Sequence, residues 1–214
     1  MIKKALTNPS LILGILVILT LASCASHMPI PVMNDRLNQT YFTRYTLRGK
    51  QSGLEKELYN SNYLSFPDVI PVGTKVSIDF YSHEYIKMTA DGIPCRMFPT
   101  DLPFPTDGDG INNFLDKHFV SSQSDNQLNQ FKATSRKNIE MGQAAIGMTK
   151  EEVLAANGYP VKIDNQVPSA PLTRERILES NQWIYLDWNP VVWWAVEQVY
   201  QFNSETGKLV NRLE

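Results

Sequence analysis

Gly147-Met148-Thr149-Lys150-Glu151-Glu152-Val153-Leu154-Ala155-Ala156-Asn157-Gly158-Tyr159-Pro160 carries both the start and the stop of a helix. Thr149 followed three residues later by Glu152 is a capping box, in which each side chain satisfies the other residue's backbone N–H. Met148 stands where an apolar side chain can staple onto Val153. At the far end Gly158 is free to take a left-handed conformation, and Pro160 cannot continue the helix. The spacing predicts a helix between the Thr149 cap and Gly158. Downstream, Gln182–Leu186 and Val192–Phe202 read as strands, the second with Val192, Trp194, Val196, Tyr200 and Phe202 on one face. Asn203-Ser-Glu-Thr-Gly207 fits a hairpin loop, and Gly207–Leu213 reads as the last strand.

Upstream the texture changes. Ser121–Asn129 is rich in serine, asparagine and glutamine, and the linker is set at 121–134. From Tyr41 to about Val120 the signals are strands and turns. Lys75–Phe80 alternates strictly, which puts Val76, Ile78 and Phe80 on one face. Asp91-Gly92 between Tyr85–Thr89 and Ile93–Phe98 predicts a hairpin. The proline- and glycine-laden segment 99–110 reads as loop, and Ile111, Phe114, Leu115 and Phe119 recur at helical spacing to close a small β-rich domain over 41–120.

The first 23 residues have a different purpose. Lys3 and Lys4 precede an apolar run from Leu11 to Ala22, and Ser23 and Cys24 follow it. A basic start, an apolar stretch of this length and small residues at the cut make a secretory signal, and the run is too short to span a bilayer. An ordinary signal with a chance cysteine, or an uncleaved short anchor, would share those features. The cysteine position resembles the lipobox of bacterial lipoproteins. That resemblance implies cleavage between Ser23 and Cys24, acyl chains on Cys24 and attachment to a membrane. Each buried methylene contributes roughly 0.8 kcal/mol, so two or more chains hold firmly. Ala25, in place of the aspartate that retains such proteins at the inner membrane, implies an outer-membrane, periplasm-facing address, with residues 24–40 as a lipidated tether.

Removal of residues 1–23 takes away two lysines and no acid, shifting the formal charge from −2 to −4. A mildly acidic chain is a poor candidate for nucleic acid. Once Cys24 is acylated only Cys95 is left, so no internal disulfide can form and stability must come from packing.

Ile146-Gly147-Met148-Thr149, Glu152-Val153, Gly158-Tyr159-Pro160, Trp183-Ile184-Tyr185 and Gly207-Lys208-Leu209, in that order, resemble the SmpA/OmlA family of lipoproteins, also called BamE-like, over about 135–213. The resemblance implies an α+β chain in which residues 135–214 form two helices packed on a three-stranded antiparallel sheet. It also implies an accessory role in envelope or outer-membrane assembly, with an envelope protein as partner. The motif residues themselves have architectural duties, and a fold does not dictate a function.

Catalytic candidates are thin. His27 falls in the tether, His83 stands beside Glu84, and His118 follows Asp116 on the short helix. Cys95 could serve as a nucleophile with His83 or His118, although a buried inert thiol is the simpler reading. Neither a Gly-x-Ser-x-Gly elbow nor a His-Glu-x-x-His motif is present. Asp107-Gly-Asp-Gly-Ile-Asn112 hints at calcium but lacks the EF-hand ligands at the fifth and twelfth positions, which favours an Asp-Gly turn. No catalytic residue, cofactor or metal is therefore assigned. In Trp188-Asn-Pro-Val-Val-Trp193-Trp194, an inward Trp194 sends Trp193 outward beside Val191 and Ala195, a placement suited to a protein or lipid interface. Burial of both indoles is the other arrangement open. Two functions compete: a non-catalytic lipoprotein that docks on an envelope protein through Trp193, and a module in the β-rich half that binds or hydrolyses peptidoglycan or a small periplasmic ligand.

Overall fold

In the computed structural model, residues 30, 36–100, 104–122, 127–166, 172–189 and 194–213 are described. The first elements are β1 (Thr40–Thr43), β2 (Leu47–Ser52), β3 (Glu55–Tyr59), β4 (Asp68–Ile70), β5 (Lys75–Tyr81), β6 (Ile86–Ala90) and β7 (Ile93–Phe98). They are followed by helix α1 (Gly108–His118) and β8 (Phe119–Val120). These eight strands make one mixed sheet in the order β4-β2-β3-β7-β6-β5-β1-β8. All pairs are antiparallel except β3 with β7, which run parallel with Lys56 opposite Cys95 and Leu58 opposite Met97.

The second half contains α2 (Ala133–Glu140), α3 (Lys150–Asn157), β9 (Lys162–Ile163), α4 (Arg174–Glu179), β10 (Gln182–Asn189), β11 (Trp194–Phe202) and β12 (Leu209–Leu213). Its strands form a four-stranded antiparallel sheet in the order β12-β11-β10-β9. The expected α+β architecture, with two helices on a three-stranded sheet, is thereby overturned. The described residues are mostly β, and three helices rather than two accompany the second sheet. The extra strand arises because the chain beyond Pro160 turns back along β10, with the Val161 N–H donating to the Ile184 carbonyl at 2.8 Å. The first half, expected as a small domain, is the larger sheet because its pairings join strands far apart in sequence.

Several local readings hold. Thr149 and Glu152 form both arms of the capping box on α3. Asp91 and Gly92, with φ of +45° and +83°, make the tight turn between β6 and β7. The alternation of β5 breaks at a bulge between Ile78 and Phe80. One extra residue shifts every later side chain to the other face. Tyr81 therefore enters the core in place of Phe80, which is half-buried and stacks on Tyr85 at 5.4 Å. Phe119, expected on the short helix, begins β8 instead.

Two apolar cores result. The first lies beneath the large sheet and includes Val76, Ile78, Tyr81, Met88, Phe114 and Leu115. The second is bounded by α2–α4 and one face of the small sheet, centred on Trp183, Tyr185, Tyr200, Phe202 and Leu209. Trp183 is fully buried with its indole N–H on the Ile177 carbonyl at 2.9 Å. Burying a side chain of this size stabilises the core by several kcal/mol, on the order of 25 cal/mol per Å² over roughly 150–250 Å².

The two sheets are joined along a polar seam. The Thr46 N–H donates to the Ala155 carbonyl at 3.0 Å and its hydroxyl donates to the Ile139 carbonyl. The Asn62 amide donates to the carbonyls of Thr46 and Asn157, both at 2.9 Å. The Leu64 N–H reaches the Leu186 carbonyl at 3.3 Å. Residues 127–134 of the expected linker are folded: a 3-10 turn spans Gln127–Gln130, and Leu128 and Phe131 pack on the second core. The tether also ends earlier than expected. Ile30 is buried and donates its N–H to the Tyr81 carbonyl, Leu37 packs on the first core, and Asn38 donates to the Ile78 carbonyl.

Candidate functional site

The residues singled out by sequence fall into three groups. Ser23, Cys24, His27 and Trp193 lie outside the described residues. His83 and Glu84 are exposed on the turn between β5 and β6, and Asp116 is exposed on α1. Cys95 and His118 are fully buried. The Cys95 thiol donates to the Ile93 carbonyl at 3.3 Å, and burial pushes its pKa up to about 11, so little nucleophilic thiolate exists near neutrality. His118 stacks on Phe114 at 4.2 Å and bonds the Phe114 carbonyl through Nδ1 at 2.8 Å. Burial, then the neighbouring Lys117 charge, lowers its pKa to about 3. Three exposed and two sealed side chains do not converge on an accessible cleft. Asp107, first in the calcium-like run, is the N-cap of α1, accepting from the Gly110 N–H at 2.8 Å. Among the described residues no cluster of His, Cys, Asp or Glu could hold a metal, and no helix is long and apolar enough to cross a membrane.

The structure instead assembles a cleft of about 310 Å³ where the two sheets meet. β2 brings Arg48, the C-terminal end of α2 brings Gly142, the last residue of α3 is Asn157, and β11 and β12 bring Tyr200 and Arg212. Arg48 sits in a cage of carbonyls. Its Nη1 donates to Phe66 at 2.8 Å, its Nη2 to Gly142 at 2.6 Å and Met141 at 3.2 Å, and its Nε to Gly142 at 3.2 Å. A cation at the C-terminal end of a helix is well placed to satisfy the last carbonyls. The cage occupies the guanidinium and leaves its charge beside the cleft.

Arg212 lies over the Tyr200 ring at 5.0 Å and donates to the Ala144 carbonyl at 3.1 Å. The Tyr200 phenol oxygen accepts from the Asn157 side-chain amide at 3.0 Å, and burial raises its pKa, so the phenol keeps its proton. Asn157 is 1% exposed, and its side-chain oxygen is buried with no hydrogen-bond partner among the described residues. The group is costly to bury unpaired, by roughly 1–3 kcal/mol. Among the described residues no carboxylate lines this cleft. A second depression of about 310 Å³ shares Asn138 and Ala145 with it and extends toward Thr149 and Lys208.

Sequence reading missed this cleft because its walls come from positions separated by up to 164 residues, Arg48 to Arg212. The available signal was an asparagine at the end of an otherwise apolar helix face, beside the glycine that stops it. The sequence matches no protein-family profile, no curated protein and no solved structure.

Proposed function

We propose that this chain is a non-catalytic lipoprotein, anchored through acyl chains on Cys24 to the outer membrane and facing the periplasm, that works as an interaction or accessory subunit with another envelope protein. The observation that carries the reading is the series Lys3-Lys4, Leu11–Ala22, Ser23-Cys24, which combines a basic start, an apolar run of signal length and a cysteine at the cut. The burial of Cys95 and His118 supports the non-catalytic part, since it withdraws the two best nucleophile and base candidates from solvent. The docking part is supported by the edge strand β12, around which Ile146, Val210 and Leu213 are exposed. An edge strand with apolar side chains favours partner contact.

The test is metabolic labelling with a radioactive palmitate, followed by membrane fractionation of the wild type and Cys24→Ser. Label on the wild type, absent from the variant together with release from the outer-membrane fraction, is the expected result. An unlabelled wild type, or a Cys24→Ser chain that still sediments with the outer membrane, refutes the anchor. For the docking part, a photo-crosslinker at position 193 should capture a single envelope protein, and no capture there removes Trp193 from the interface.

A further inference from the structure

We infer that the cleft between the two sheets binds a small carboxylate that carries a neutral N–H donor close to it, as an N-acyl amino acid or the last unit of a peptide does. The inference concerns the folded body and does not depend on the lipid anchor. Asn157, 1% exposed, lines the cleft, and among the described residues its buried side-chain oxygen has no hydrogen-bond partner. Buried polar atoms are nearly always paired, so an orphan lining a cavity points to a partner supplied from outside the chain. An N–H is the group that would complete it.

The opposite wall asks for a negative charge. Arg212 is held by one carbonyl, by the Gln198 side chain at 3.4 Å and by the Tyr200 ring, which leaves guanidinium N–H groups to spare. Arg48 adds a second positive charge, and the Tyr200 phenol, accepting from Asn157, has its own proton to donate. No carboxylate is among the described lining residues; the nearby Asp187, bonded by the Gln198 side-chain amide at 2.9 Å, acts on Arg48 and Tyr200 from outside the cleft wall. Donors on one side and a lone acceptor beside them match a carboxylate with an adjacent N–H. The N–H must be neutral, because the ammonium of a free amino acid would sit among two guanidinium ions, and like charges repel. The volume of about 310 Å³ stands at the small end of the ligand-site range and suits one or two residues.

The experiment is calorimetric titration of the full-length chain in detergent with N-acetylalanylalanine. Saturable binding is expected, with the methyl ester weaker by roughly tenfold or more because the charge-assisted bonds to Arg212 and Tyr200 are lost. Propionate, which lacks the N–H, should fall by a similar factor. N-acetylalanine against free alanine separates an acylated ligand from a free amino acid, and equal affinity for the two overturns the neutral-donor assignment. Arg212→Gln, at an exposed position, should weaken N-acetylalanylalanine binding about tenfold in a chain that still unfolds in one cooperative thermal transition. Asn157→Asp, which keeps the side-chain size and adds a repelling charge, should abolish it. No saturable binding by chain that still shows a cooperative unfolding transition, or an affinity indifferent to both esterification and Arg212→Gln, overturns the proposal.

Discussion

Replacing Gly158 by alanine tests whether the seam between the two sheets is as closely packed as the structure has it. Gly158 has φ +77° and ψ −162°, a region that residues with a Cβ avoid and that costs on the order of 1–3 kcal/mol to impose. A Cβ built there would stand 2.4 Å from Cε2 and 2.7 Å from Cδ2 of Tyr45. Ordinary carbon contacts lie at about 3.5–4.0 Å, so the ring must retreat by roughly 1 Å or more. Tyr45 is 2% exposed and is flanked by His118 at 5.8 Å and Tyr159 at 6.4 Å, so it has nowhere to go. Overpacking of this kind adds about 1–3 kcal/mol, bringing the total to about 2–6 kcal/mol against a usual stability of roughly 5–15. Gly147→Ala is the control, with φ +89° and open space around the new carbon. Urea unfolding followed by tryptophan fluorescence should place the Gly158→Ala midpoint well below that of Gly147→Ala. Equal midpoints would falsify the claim that the Tyr45 contact carries energy.

Three further outcomes are expected. Arg48→Met leaves the buried carbonyls of Phe66 and Gly142, and the part-buried one of Met141, without their donor, and should cost about 3 kcal/mol or more in urea unfolding, with Arg48→Lys recovering less than half because an ammonium cannot reproduce the fork. His118, neutral when folded down to about pH 3 and protonated below about 6.5 when unfolded, makes stability fall with acid across that window, by at most about 1.4 kcal/mol per pH unit. Stability curves between pH 7 and 5 should be visibly flatter for His118→Leu, and identical slopes would exclude this histidine as the source. Cys95, buried and with a raised pKa, should react with a thiol reagent in the Cys24→Ser chain only as fast as the protein opens, so prompt stoichiometric labelling of native protein would show that the first core is not sealed.

Local chemistry was legible and long-range pairing was not. The α3 capping box needs only Thr149 and Glu152, and the β6–β7 turn needs only Asp91 and Gly92, so both could be read directly. The β5 alternation was readable up to Ile78 and misleading afterwards, because a bulge inserts one residue without a compositional mark. The parallel pairing of β3 with β7, and the place of β1 between β5 and β8, depend on which apolar faces meet in space, and several orders satisfy the same alternation. The cleft failed to appear for the same reason. Arg48 looked like one charged residue on a short strand, and the carbonyls that hold it belong to residues 66, 141 and 142.

Thr46, Arg48 and Asn62 bond to backbone groups contributed by residues 139–157, so neither half of this protein is a portable module. A gene fusion that transplanted residues 135–213 onto another protein would strip the Ile139, Gly142, Ala155 and Asn157 carbonyls of their donors at once. Recombination that shuffles self-sufficient cassettes has no clean breakpoint here, and any descendant lineage must inherit both sheets together.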